Sequence, residues 1–195
     1  MEITSLSQLD LSKVYSYADY YTWKFQERIE LIKGKILEMS PAPSRQHQKI
    51  SFYIGNQLYN FLDNCPCEIY SAPFDVRLER VEDDKKVINV VQPDLCVICD
   101  LSKLDDRGCS GAPELIIEIL SPGNTKKEMK YKFEIYEKAG VLEYWIIDPT
   151  EKVLWQYVLE NTQYVNHKPL TEEDIIYSSV LNGFSLDLSK VFSNF

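Results

Sequence analysis

A chain of 195 residues with 45% hydrophobic and 26% charged content is long enough to bury a core unaided and has the make-up of an ordinary globular α/β or α+β domain. Its formal net charge of −9, from 21 basic and 30 acidic residues, speaks against a general basic surface for duplex DNA, because phosphate contacts supply most non-specific affinity. No run reaches the ~18 consecutive apolar residues of a membrane helix, and the opening MEITSLSQLDLSK lacks a basic leader with an apolar stretch, so a cytoplasmic protein without a membrane partner is expected.

In chain order, the aromatic-rich stretch 15–25 predicts a short helix. RIELIKGKILEMS predicts a β-hairpin, two alternating runs around Gly34, where a tight turn needs positive φ. Beyond Pro41 and Pro43, apolar Ile50, Tyr53, Ile54, Leu58 and Phe61 recur at spacings of three and four, which predicts a helix over about 44–62. Strands follow at 68–71, at 74–79 with clean alternation, at 86–91 and at 95–98. In 115–120 only Glu118 interrupts apolar residues of both parities, the pattern of a central strand covered on both faces. A helix over about 125–139 ends at Gly140, a C-terminal cap. Strands at 143–147 and 153–158 flank a turn at Asp148, Pro149 and Thr150, and the tail adds one or two short strands before LDLSKVF. With no repeat or linker-like stretch, a single domain over 1–195 is expected, its core about 14–192. The expected fold class is α+β (α/β/α-like), a mixed central sheet flanked by helices.

Five cysteines without a secretory segment are expected to be reduced thiols. Cys96 and Cys99 read as CxxC, but in a strand residues three apart face opposite ways and cannot converge on one zinc. Cys65 and Cys67 share a parity and make half of a site.

Three residues carry the candidate chemistry. A carboxylate inside a Leu/Ile strand, Glu118, is costly to bury unless a metal, a lysine or a shifted acidity compensates it; an edge position facing water is the plain alternative. Asp94 follows Pro93 at the mouth of the strand at 95–98, where a simple cap or turn is the plain alternative. Paired across neighbouring strands, the two carboxylates make a site of the kind Mg²⁺ accepts, with water and phosphate oxygens completing the octahedron. Met129, Phe133 and Tyr136 make the apolar stripe of the helix at 125–139, and Lys132 lies on it beside Met129 and Phe133, turned inward where it could stabilise a developing phosphate charge. Snorkelling to solvent, or a helix ion pair with Glu128 four residues earlier, is the plain alternative.

Glu30 in ERIELIKGK, His47-Gln48, QPDL, PELIIEILSP, the helix pattern K..IY.KAG and EYWIIDP together resemble the Uma-type restriction endonuclease family, within the PD-(D/E)xK nuclease superfamily. The resemblance runs from about Val14 to Phe192. It implies a restriction-endonuclease-like sheet with Asp94 as the motif aspartate and Glu118 as its second acid. The usual lysine two residues after the glutamate is here Leu120, so the local motif is broken. The family supplies the lysine from the following helix, and the matching residue is Lys132. Glu30 matches an N-terminal acid that supports the metal site, and Gln92, Ser121 and His47 are expected around the substrate. Lys35 and Leu142 depart from the family pattern away from these positions, and Glu128 stands where an aspartate is usual, which keeps the charge.

The activity so implied is hydrolysis of phosphodiester bonds in nucleic acid, expected to be DNA, by Asp94 and Glu118 holding one or two Mg²⁺ (or Mn²⁺) ions while Lys132 stabilises charge or positions the water. A homodimer is expected, since single-site subunits need two copies to cut two strands. The competing reading is a catalytically degenerate binding module, favoured by the acidic charge and the displaced lysine. Ser/His/Asp hydrolysis is disfavoured by the absence of GxSxG, and nucleotide binding by the absence of GxGxxG or a P-loop.

Overall fold

The computed structural model describes residues 2–39, 43–122 and 126–193. The helix expected over 15–25 is a single turn, α1 (Tyr17–Tyr20), begun by Ser16, whose N–H and hydroxyl both donate to Asp19. Its aromatic neighbours are poor helix formers and pack on one another instead, Tyr15 against Trp23 and Trp23 against Phe25. The hairpin forms as expected from β1 (Ile29–Ile32) and β2 (Lys35–Glu38). Lys33 and Gly34 turn it with φ of 53° and 72°, and a Cβ on Gly34 would stand 2.3 Å from Val14. Ser44 caps α2 (Arg45–Leu62) by accepting the His47 N–H; Pro41, before it, lies outside the described residues.

Next come β3 (Glu68–Ser71), β4 (Val76–Arg77), β5 (Val90–Val91), β6 (Leu95–Ile98), β7 (Leu104–Asp105), β8 (Gly108–Ser110) and β9 (Leu115–Ile119). The strands expected at 74–79 and 86–91 thus shrink to two-residue ladders. Residues 84–86 make a 3₁₀ turn capped by Asp83, and the N–H groups of Ile88 and Asn89 go to the Glu79 carboxylate rather than to a neighbouring strand. Helix α3 (Lys126–Ala139) ends at Gly140 with φ of 89°, while Thr125, its expected start, is outside the described residues. Then follow β10 (Glu143–Asp148), β11 (Val153–Glu160), β12 (Gln163–Asn166), β13 (Leu170–Thr171), β14 (Ile175–Tyr177), β15 (Ser185–Asp187) and α4 (Leu188–Phe192). The tail therefore holds four short strands, more than its sequence pattern predicts.

The main sheet runs β12-β11-β10-β9-β6-β3, with β13 on β11. It is mixed: β9 pairs parallel with β10 and antiparallel with β6. Leu115, Ile117 and Ile119 of β9 face a core shared with α2 and α4, and Ile116 faces the other, shared with α3. A second sheet, β2-β1-β5-β4-β8-β7, contributes Ile32, Val76 and Val91 to that second core. The result is the mixed α+β fold expected, with helices on both sides of a sheet whose middle strand carries Glu118. Among the described residues no helix is long and apolar enough to cross a membrane.

The expectation of free thiols throughout is corrected. Cys67 and Cys99 form a disulfide, leaving Cys65, Cys96 and Cys109 free. The register Glu68↔Ile98 of β3 against β6 sets the two cysteines opposite each other at a Cα separation of 3.9 Å. The CxxC spacing concealed this partner because it is set by strand pairing, not by neighbours in sequence.

Candidate active site

Alternation along β9 turns Glu118 to the face of Ile116, toward α3. There two α3 residues one helical turn apart meet it: Lys132 Nζ donates to Glu118 Oε1 at 3.0 Å, and the Tyr136 hydroxyl donates to the same oxygen at 2.7 Å. Lys132 Nζ also donates to Glu30 Oε1 of β1, at 3.0 Å. Lys132 is 7% exposed and Glu30 1%, so this is an inward bridge between two sheets rather than a snorkelling side chain. Glu30 Oε1 further accepts the Gln92 backbone N–H at 2.9 Å, while Glu30 Oε2 is buried with no hydrogen-bond partner among the described residues.

Asp94 stands just before β6, one register step beyond the pair Leu95↔Ile117, which brings it beside Glu118. Its Oδ2 accepts the Ile119 N–H at 2.8 Å and lies 3.1 Å from His47 Nε2 on α2. Asp94, Glu118, Lys132, His47 and Ser121 all line one narrow cleft of about 80 Å³.

The electrostatics follow from crowding three carboxylates around one ammonium. Burial, then the charges of Asp94 and Glu30, push Glu118 up to about 7 against the pull of Lys132 and Tyr136. Burial works against the Lys132 ammonium, but Glu118 and Glu30 more than offset it and hold the lysine protonated. In His47 the lowering effect of burial is outweighed by its hydrogen bond to Asp94 and that carboxylate's charge, so the imidazole's pKa is raised.

The structure therefore brings Glu30, Asp94, Glu118, Lys132 and His47 together and sets Ser121 on the cleft. Gln92 is placed differently from expectation. Its side chain is turned away, with Oε1 accepting the Arg28 guanidinium at 2.9 and 3.1 Å and Nε2 donating to Asp75 and Tyr20. It meets Glu30 through its backbone N–H and reaches the cleft wall through Arg28, because alternation past Val91 turns its own side chain away from the carboxylates.

Two residues of the cluster escaped the sequence reading. Tyr136 looked like part of the apolar stripe, yet its place four residues after Lys132 marks the same helix face. Arg28 has the strand parity of Glu30 and lines the cleft. Among the described residues no group of three or more His, Cys, Asp or Glu side chains is arranged to hold a metal ion. A pair of carboxylate ligands is nonetheless within what Mg²⁺ uses, since it keeps most of its water.

A family model described as "Putative restriction endonuclease", Uma2, matches residues 17–189. "Uncharacterized protein slr1290" of Synechocystis is 25% identical over 131 residues, a match spanning 66% of this chain and about 65% of that protein's length. A crystal structure from Anabaena variabilis, described as "a putative nuclease belonging to DUF820", superposes with a TM-score of 0.70 at 18% identity, covering 91% of this chain and 97% of that one. At that identity the likeness establishes the shared fold.

Proposed function

Since the chain belongs to the Uma2 family of restriction-endonuclease-like proteins, we propose that it is a divalent-metal-dependent endonuclease acting on DNA at the Asp94–Glu118–Lys132 cleft. Restriction-endonuclease-like families generally use divalent metals. The observation that carries the reading for this chain is the crowding of carboxylates: Glu30 and Glu118 share the Lys132 ammonium, Asp94 stands beside Glu118, and burial with the charges of Asp94 and Glu30 pushes Glu118 up to about 7. The donors are hard carboxylate oxygens, and Glu30 Oε2 is a buried acceptor left without a partner among the described residues. A divalent cation would supply the missing positive charge, so the residues present fit the group.

Asp94 and Glu118 would hold Mg²⁺ or Mn²⁺ between them. When bound, such an ion polarises the scissile phosphate and lowers the pKa of the attacking water. His47 and the Ile119 N–H both engage Asp94 Oδ2, which fixes the carboxylate and leaves Oδ1 for the cation. Tyr136 orients Glu118 in the same way through Oε1. Lys132 donates two of its three protons to Glu118 and Glu30; the third, without an acceptor among the described residues, can be aimed at the water or a phosphate oxygen. Glu30, held by the Gln92 N–H, is a positioning residue for that lysine.

The test is nicking of supercoiled plasmid by wild type and Glu118→Gln in Mg²⁺ or Mn²⁺, with Mn²⁺ binding followed by calorimetry. Cleavage is expected only with metal, and both binding and cleavage are expected to disappear in the variant. Cleavage that persists in Glu118→Gln would overturn the site. A wild type that neither binds Mn²⁺ nor cuts would leave the competing reading, a binding module on the nuclease fold.

A further inference from the structure

The sequence pattern of α2 is unusual for this chain. From Met39 to Leu62 there is no acidic residue, while Arg45 and Lys49 are basic, in a protein with 30 acids and 21 bases. One face of α2 buries Ile50, Ile54, Leu58 and Leu62. The other exposes two large rings, Phe52 at 79% and Tyr59 at 66%. Exposing aromatic surface of this size on two turns of one helix forgoes the stabilisation of burying it.

Those rings line a groove of about 400 Å³ together with Gln48 and Ser51, which precede Phe52 on the helix, and Gly55 and Asn56, which lie between the two rings. Ile69, Ser71 and Leu95 form the opposite wall, and at one end the groove contains Arg28, His47 and Asp94. It is therefore continuous with the cleft described above, and among the described residues Asp94 is the only acid on its walls. At ~1.5 Å per residue, α2 carries the groove roughly 18 Å from His47 to Tyr59. That length suits about five nucleotides at ~3.4 Å spacing, or fewer in an extended strand.

Gly55 is a second, independent observation. It lies inside α2, where glycine costs roughly 0.5–1 kcal/mol relative to alanine. Packing does not require it: an added Cβ would stand 3.4 Å from Leu95 Cδ2, an ordinary contact. What the missing side chain does is deepen the floor of the groove between the two rings.

We infer that this groove takes an unpaired DNA strand, whose bases stack on Phe52 and Tyr59 and whose path leads to Asp94 and Glu118. The inference rests on the nuclease reading and narrows its substrate. Exposed rings can stack only on bases whose faces are free, whereas a duplex presents base edges and phosphates. The polar side chains along the groove suit base edges, and the absence of acids along α2 spares the phosphates repulsion in an otherwise acidic protein. A second copy of the chain is a poorer occupant, because the fully buried centre of a subunit interface is more apolar than this alternation of rings with Gln48, Ser51 and Asn56.

The experiment is fluorescence anisotropy of a fluorescein-labelled 12-nucleotide oligothymidylate and of a duplex of the same length. The full chain is used at low salt in EDTA, so that binding is read without cleavage. The single strand is expected to bind more tightly than the duplex. Phe52→Ala and Tyr59→Ala should each raise its Kd about 5- to 150-fold, the equivalent of the ~1–3 kcal/mol that base–aromatic stacking contributes. Phe52→Tyr and Tyr59→Phe should bind nearly as wild type, and Tyr177→Ala, which removes an exposed ring on β14, should change nothing. Unaltered affinity in both alanine variants, or preference for the duplex, would overturn the inference. So would a loss of dimer in sedimentation with DNA affinity intact, which would make this face a contact between copies. A protein that binds the strand through both rings yet never cuts would sink the nuclease reading alone. Metal-dependent cutting undisturbed in both ring variants would sink the groove alone.

Discussion

Replacing Lys132 by methionine isolates the electrostatics of the site, since an unbranched apolar chain keeps most of the packing and deletes only the ammonium. Lys132 is 7% exposed and its partner Glu30 1%. Without Nζ, among the described residues Glu30 keeps the Gln92 N–H and Glu118 keeps the Tyr136 hydroxyl. Removing one member of a buried ion pair while leaving the other typically costs about 3–5 kcal/mol. For a chain of this size that corresponds to a fall in Tm of about 6–20 °C. The loss should depend on pH in a defined direction. Glu118 already sits near 7 against an ordinary glutamate value of 4.5, and losing the lysine raises it further. A carboxyl whose folded pKa exceeds its unfolded one binds extra protons in the folded state, so stability falls as pH rises from about 4.5 through 7 and beyond. The wild type shows the same fall up to about 7, so the deficit of the variant should widen above that, and thermal unfolding followed by circular dichroism in EDTA should show a larger deficit at pH 8 than at pH 5. A variant that melts with wild type at pH 8, or suffers more at pH 5, would refute this account of the cluster.

Two further outcomes follow from the packing. Glu143 is 0% exposed and its carboxylate accepts from Trp145, Gln156, Ser178 and the N–H groups of Ser179 and Val180, tying the tail to the main sheet. Glu143→Ala takes this acceptor from Trp145, Ser178 and the Ser179 N–H, while Gln156 keeps the Tyr177 carbonyl and the Val180 N–H keeps Ser178 Oγ, and it should lower stability by about 3–5 kcal/mol, read as the urea midpoint; a change under about 1 kcal/mol would contradict that role. Gly55→Ala should raise stability by about 0.5–1 kcal/mol and Tm by about 1–4 °C; a fall in Tm would show that the helix needs the glycine for packing.

Local periodicity in the sequence is enough to set the hairpin around Gly34, the amphipathic α2, the doubly covered β9 and the helix closed by Gly140, because turn chemistry and spacings of two or three to four residues need no distant partner. For the same reason Glu118 stood out as a charge in an apolar strand, and Lys132 as a cation on an apolar stripe. What periodicity cannot supply is the partner. Lys132 reaches Glu118 across 14 residues and Glu30 across 102, and only the meeting of the two sheets with α3 brings those carboxylates to one ammonium. Strand pairing likewise joined Cys67 to Cys99 over a separation of 32. It also turned the Gln92 side chain to Arg28, Asp75 and Tyr20 instead of the carboxylates. Tyr136 shows the limit most plainly: as sequence it is one more apolar position on a helix, and it becomes a hydrogen-bond donor to Glu118 only because β9 lies beneath that turn of α3.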